Sequence, residues 1–319
     1  MKKLFALLMA LVFACTFLTA VCETAAPLRI VCTTFPQYDW TRQLLGDRAD
    51  DVELTLLLDN GIDLHNYQPT ADDIIKIARS DLFIYVGGES DAWVNDLLET
   101  SQNSHVKALS MLACVDAKEE EEAVEGMQEE AHECGHAHHE AEYDEHVWLS
   151  LRNAQTITRA ILEALCEADP AHAETYRANA DAYIAQLAEL DAQYADMVRH
   201  AARTAILFAD RFPFRYLADD YGLTYYAAFA GCSAETEASF KTIAFLAKKV
   251  DELNLPAVLA IEGGNHAIAE TVVASTQAKN QVILSMNSLQ SMTEADVQRG
   301  ESYLSVMTQN LAILTQALN

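Results

Sequence analysis

Val52-Glu53-Leu54-Thr55-Leu56-Leu57-Leu58, then the loop Gly61-Ile62-Asp63-Leu64-His65-Asn66-Tyr67-Gln68-Pro69-Thr70, then Ala71-Asp72-Asp73-Ile74-Ile75-Lys76-Ile77-Ala78, is the stretch whose reading decides the fold. The apolar run predicts a buried strand, and the last segment predicts a helix capped by Thr70. His65 therefore lies in a loop at the C-terminal end of a strand. Open α/β sheets place their ligands at such strand ends.

The same unit recurs on both sides. Leu28 to Phe35 reads as a strand and Tyr38 to Leu45 as a helix ending at Gly46. Asp81 to Val86 reads as a strand closed by Gly87-Gly88, with a helix from Trp93 to Leu98. Further on, strands are predicted at 205–209, 224–229, 257–261 and 282–285. Helices are predicted at 213–221, 235–253, 267–276 and 303–318. This alternation predicts parallel sheets with helices on their faces. Between the halves, Asn153 to Cys166 reads as a helix. Residues 171–202 carry large side chains at Tyr176, Tyr183, Leu187, Leu190, Tyr194 and Met197, one face of a single helix. At roughly 30 residues that helix is ~45 Å long. The stripe fits a coiled-coil seam or, in a monomer, a backbone helix packed on two lobes. The expected architecture is α/β, with an N-terminal lobe over 28–150, a helical linker over 151–202 and a C-terminal lobe over 203–319.

Composition narrows the function. The chain has 319 residues, 51% of them hydrophobic, with 48 acidic against 21 basic residues and a formal net charge of -27. A polyanionic partner would be repelled, so nucleic acid is excluded as a target, while cations are favoured. Lys2 and Lys3 followed by the apolar run 4–20 form an export signal. Leu18-Thr19-Ala20-Val21-Cys22 resembles a bacterial lipobox, with Val21 in place of the usual small residue. Lipidation at Cys22 or cleavage near Ala20 would each export the protein. Five further cysteines, Cys32, Cys114, Cys134, Cys166 and Cys232, show no C-x-x-C spacing. Cys32 and Cys166 read as small core residues, and Cys114 and Cys134 flank the acidic segment as a candidate pair.

From 117 to 145 the pattern breaks into acidic runs with His132, His136, His138 and His139. Such a stretch is expected to form a mobile, solvated loop whose imidazoles gather metal. His132-Glu133-Cys134-Gly135-His136 matches H-E-x-x-H literally, but that motif needs a stable helix and Gly135 interrupts it. Ordered sequence resumes at Asp144-Glu145-His146-Val147-Trp148-Leu149.

Strand ends of the first lobe offer His65 and His146; those of the second offer Glu262, with Asp210 and His266 as further candidates. Imidazole and carboxylate together suit zinc, with manganese as the alternative. The motifs also carry a resemblance. Gly61-x-Asp63-x-His65-x-Tyr67-x-Pro69-Thr70, Asp144-x-His146-x-Trp148-Leu149, Phe214-x-Tyr216-Leu217-Ala218 and Gly231-x-Ser233-x-Glu235-x-Glu237-x-Ser239 resemble, in order, segments of the substrate-binding proteins of zinc and manganese ABC importers, the ZnuA-like group. The resemblance implies two lobes bridged by a rigid helix, a metal between them held by His65 and His146, an ABC permease as partner and a monomer. It also implies a His or Glu where this chain has Arg211, and an Asp where it has Asn287. Guanidinium is no metal ligand and an amide is a poor one for zinc. Three arrangements follow: Glu262 completes the site, with Asp210 or His266; Arg211 pairs with Glu262 or Glu237 and leaves a two-histidine site; or the chain takes another metal or binds weakly. Cys232 is a softer candidate, beside its reading as a small residue after a strand. A zinc hydrolase with Glu262 as base, or a surface adhesin, are the functions of other classes.

Overall fold

A computed structural model describes residues 27–100, 106–120, 124–128, 143–233 and 237–319. The signal segment with Cys22, and His132, His136, His138 and His139, lie outside the described residues. Two four-stranded, all-parallel sheets are present. The first has the order β2-β1-β3-β4, from β1 (Arg29–Cys32), β2 (Glu53–Leu56), β3 (Leu82–Tyr85) and β4 (Lys107–Ser110). The second repeats it as β6-β5-β7-β8, from β5 (Ala205–Phe212), β6 (Thr224–Ala230), β7 (Ala257–Ile261) and β8 (Val282–Met286). The α/β class with two lobes is thus the one expected. Strand β4 was not expected, since Lys-Ala-Leu-Ser has no β-branched or aromatic residue; it owes its conformation to edge pairing with β3.

Helices α1 (Phe35–Leu45), α2 (Ala71–Arg79) and α3 (Trp93–Thr100) belong to the first lobe. Thr70 caps α2 as expected, in a reciprocal capping box with Asp73. The middle of the chain folds into α4 (Leu151–Ala168) and α5 (Ala173–His200), joined by the short turn Pro170–His172. Helix α5 has 28 residues, about 42 Å at 1.5 Å per residue. Its stripe, Tyr176, Tyr183, Leu187, Leu190 and Tyr194, is buried. It packs on α1 and α4 at one end and on α6 (Arg215–Tyr221) and α10 (Tyr303–Leu318) at the other, which makes it the bridge between lobes. Helices α7 (Phe240–Leu253), α8 (Ala267–Ser275) and α9 (Glu294–Gln298) complete the second lobe.

One hydrophobic core runs from the first sheet through the bridging helices into the second sheet. Polar ties reinforce it. The Trp148 indole donates to the Ser288 carbonyl (2.8 Å), the Tyr303 hydroxyl to the Trp148 carbonyl (2.6 Å), and the Tyr303 amide to Asp39 (2.9 Å). Among the described residues, no helix is long and apolar enough to cross a membrane.

The described parts of the acidic segment are not merely solvated. Glu119 and Tyr143 bridge antiparallel, so the two ends of the segment form a stem. Residues 124–128 cross to the second lobe. There the Gln128 amide donates to the Ala228 carbonyl of edge strand β6 (3.0 Å), and its side chain accepts from the Ser239 amide (2.7 Å). A free sheet edge offers such unpaired carbonyls.

Candidate metal centre between the lobes

Each histidine sits on a short turn that its neighbours fix. Asp63 opens the turn Leu64–Asn66, and its Oδ1 accepts from the His65 amide (3.1 Å). Just before, Asn60 forms an isolated bridge with Thr293 of the second lobe. His146 opens the turn Val147–Leu149. Asp144 Oδ1 accepts from both its amide and its Nδ1, each at 2.9 Å. The Asp144 carbonyl in turn accepts from the Tyr216 hydroxyl of α6 (2.9 Å).

The two imidazoles converge. His65 Nε2 lies 3.2 Å from His146 Nε2, with the rings edge to face. Two nitrogens bound to one tetrahedral zinc at ~2.0–2.1 Å stand ~3.3 Å apart, so the pair is already at the spacing of a coordination edge. Both rings are oriented from behind: His146 by Asp144, and His65 by Ser90 Oγ (2.9 Å from Nδ1), whose own amide donates to Glu145 Oε1 (2.8 Å); Glu145 Oε2 stands 3.4 Å from His65 Nδ1. Carboxylates behind imidazole ligands fix the ring and raise its basicity. Glu145 reaches this position because the chain leaves β3 through Gly88, at φ +82°, where a Cβ would lie 2.4 Å from Glu145 Oε1.

The electrostatics separate the pair. Burial, then the neighbouring His146 charge, push His65 down to about 4. Burial works against protonating His146 as well, but the Asp144 carboxylate outweighs it and raises the group. Asp63 would be raised by burial, yet the Arg211 guanidinium holds its carboxyl below the usual range.

From the second lobe, Cys232 joins the histidines. His65, His146 and Cys232 each place a donor atom within 4.8 Å of the others, and they form the one such group among the described residues. Cys232 follows β6 directly, on a loop that presses onto His146. A Cβ on Gly231 would stand 3.0 Å from His146 Cε1 and 2.9 Å from the Phe212 carbonyl, so only glycine permits the approach. The sequence offered Cys232 only as a soft candidate, because nothing local reveals a contact made between distant loops.

The other second-lobe candidates have separate engagements. Glu262 accepts from the Ser288 hydroxyl and amide, at 2.6 and 2.8 Å, one per carboxylate oxygen. Burial raises its carboxyl despite those bonds. Asp210 lies in a β-bulge, where residues 209 and 210 oppose a single residue of β6. Its carboxylate accepts from the backbone amides of Arg211 and Ile261, replacing ladder bonds that the bulge removes. His266, at φ 54°, contacts Ser285 Oγ through Nε2 (3.2 Å). Arg211 pairs with neither Glu262 nor Glu237: its Nη2 donates to Asp63 of the other lobe (2.9 Å) and its Nη1 to the Ser233 carbonyl (3.4 Å).

Comparison with known proteins agrees with this architecture. The family model described as zinc-uptake complex component A, periplasmic, matches residues 30–317. The chain is 34% identical over 323 residues to the zinc-binding lipoprotein AdcA of Streptococcus pneumoniae, covering 99% of this chain and 61% of that protein. The chain thus spans about three fifths of the length of that relative. It is 29% identical to the high-affinity zinc uptake system protein ZnuA of Bacillus subtilis, covering 96% of this chain and 95% of that protein. The Zn(II)-bound ZnuA-like domain of S. pneumoniae AdcA superposes with a TM-score of 0.72 at 31% identity, over 92% of this chain and 99% of that domain. The metal-dependent lipoprotein YcdH of B. subtilis superposes with a TM-score of 0.74 at 26% identity, over 91% and 99%. With 30–317 matched by a single model and both sheets, the bridging helix and the His65–His146 pair in place, the chain belongs to the zinc-uptake complex component A family.

Proposed function

We propose that this protein captures a divalent transition metal, zinc in preference to manganese, between its two lobes and delivers it to the membrane permease of an ABC importer. The observation that carries this reading is the 3.2 Å approach of the His65 and His146 Nε2 atoms, with His146 held from behind by the Asp144 carboxylate and His65 by the Ser90 hydroxyl. A buried and a partly buried imidazole donor at that spacing serve a cation, and neutral nitrogen ligands suit zinc better than manganese. The names of the relatives, zinc-binding and zinc-uptake proteins, support the same cargo.

In this reading the protein is exported and held at the membrane surface by a lipid on Cys22. The histidines of the acidic segment, His132, His136, His138 and His139, gather zinc and pass it to the cleft. Delivery needs a monomer whose cleft faces the permease. Glu262 lies outside the group of donors that meet within 4.8 Å among the described residues, so the histidines are the first-lobe clamp on which binding depends.

Zinc and manganese titrations of the full chain in competition with a chelator test the proposal. One tight zinc site is expected, lost in His65→Ala and in His146→Ala, with manganese bound far more weakly. If both variants keep the tight site, the clamp lies elsewhere.

A further inference from the structure

We propose that Cys232 is the third metal ligand, so that this protein holds its ion on two imidazoles and one thiolate; the inference rests on the metal-capture reading above. The thiol is one of three donors that meet within 4.8 Å, and the other two are the histidine clamp. Its loop is placed by specific contacts. Gly231 allows the backbone to lie against the His146 ring, and the Ser233 amide closes the turn on the Ala230 carbonyl (3.3 Å). Arg211 Nη1 holds the Ser233 carbonyl while Nη2 holds Asp63, two residues before His65. The arginine at the position where a donor was expected is therefore a strut. It ties the thiol-bearing loop of one lobe to the histidine-bearing loop of the other.

Charge and donor chemistry agree. Two neutral imidazoles and one thiolate leave a divalent ion with a single net positive charge, facing Asp144 and Glu145 behind the rings. Arg211 adds no net charge because Asp63 neutralises it. Cysteine and histidine together form a zinc ligand set, and a soft thiolate disfavours manganese. Three protein donors leave a fourth tetrahedral position open, as an ion in transit requires. Coordination replaces S–H by S–metal and releases the proton to solvent, one per ion bound.

Cobalt(II) replacing zinc in the full chain reads the thiolate directly. The expected spectrum has a near-ultraviolet sulfur-to-cobalt charge-transfer band that is absent in Cys232→Ala. Chelator competition is expected to show zinc binding weakened at least tenfold in Cys232→Ala, with partial rescue in Cys232→Ser. Zinc is also expected to protect Cys232 of the unaltered protein from alkylation, a readout that needs no variant to fold. Tight zinc binding that depends on His65 and His146, without the band or the protection, overturns the cysteine ligand and leaves metal capture standing. Absence of tight zinc binding in the unaltered protein overturns both.

Discussion

Arg211 Nη2 lies 2.9 Å from Asp63 Oδ2, an ion pair that joins the end of β5 in one lobe to the turn carrying His65 in the other. The guanidinium side chain is 20% exposed and the carboxylate 11%. At that burial the two charges depend on each other, since an unpaired buried charge costs far more than an exposed pair contributes.

Arg211→Ala strands the Asp63 carboxylate and frees the Ser233 loop. The expected loss of stability is about 2–3 kcal/mol in urea denaturation, below the ~3–5 kcal/mol of a fully buried pair because Arg211 keeps some contact with water. Arg211→Ala combined with Asp63→Asn should recover part of the loss. If the double variant is as unstable as the sum of the single ones, the pair contributes no coupling.

Glu262→Gln keeps an acceptor for Ser288 and removes the charge. Zinc affinity is expected to stay within about threefold of the unaltered protein, roughly 0.7 kcal/mol or less. A hundredfold loss by chelator competition would place Glu262 on the ion.

Gly231→Ala forces a methyl group between His146 and the Phe212 carbonyl. Overpacking of this kind costs about 1–3 kcal/mol. The thermal midpoint should fall, and zinc affinity with it, because the loop can relieve the clash only by moving away from the histidines. A variant with lowered stability and full affinity would show that the loop position does not matter to binding.

Asp91 gives a pH signature of stability. It is buried behind β3, where the Val86 and Gly87 amides donate to Oδ2 at 2.8 and 3.0 Å. Burial, with the Glu145 charge adding to it, pushes its carboxyl up to about 7. Between about pH 4, the ordinary carboxylate value, and pH 7 the folded protein keeps a proton that the unfolded chain has lost. This group's contribution therefore falls as pH rises through that window and is flat above it. Asp91→Asn, whose oxygen still accepts from both amides, should match the unaltered protein at pH 4 and exceed it at pH 8. The gain is bounded at about 4 kcal/mol by ~1.4 kcal/mol per pH unit. Equal stability at pH 8 would mean that the charge is solvated in the fold.

The features legible in the sequence are those set by local pattern. Apolar runs, the Thr70 cap and the period of Tyr176, Tyr183, Leu187 and Tyr194 are read within one element and mark most strands and the bridge. The run Val52 to Leu58, expected as a buried strand, gives the half-exposed edge strand β2, because among the described residues no further strand pairs beyond it. Strand β4 escaped because its residues carry no strand preference of their own. At the metal centre His65 and His146 stand in motifs, but their company does not. Arg211 invited a search for partners in its own lobe, at Glu262 and Glu237. The bulge at residues 209 and 210 breaks the strand's simple alternation, so the direction of the residue after it does not follow from position. Gly231 and Cys232 mattered only through a contact with a ring from the other half of the chain, which no window of sequence contains.

The contact between the two histidines has a consequence for how an ion enters. Two ring nitrogens 3.2 Å apart in a hydrogen bond share one proton on the line between them. The cation needs both lone pairs, so entry and departure of that proton are a single event. When both rings are neutral and His146 Nδ1–H donates to Asp144, the bridging proton belongs to His65 Nε2, and His65 Nδ1 accepts from the Ser90 hydroxyl. Loading then amounts to a tautomer exchange on His65: the proton leaves Nε2 and reappears on Nδ1. The proton stays on Nδ1, where Glu145 Oε2, buried 3.4 Å away with no hydrogen-bond partner of its own, is the acceptor at hand.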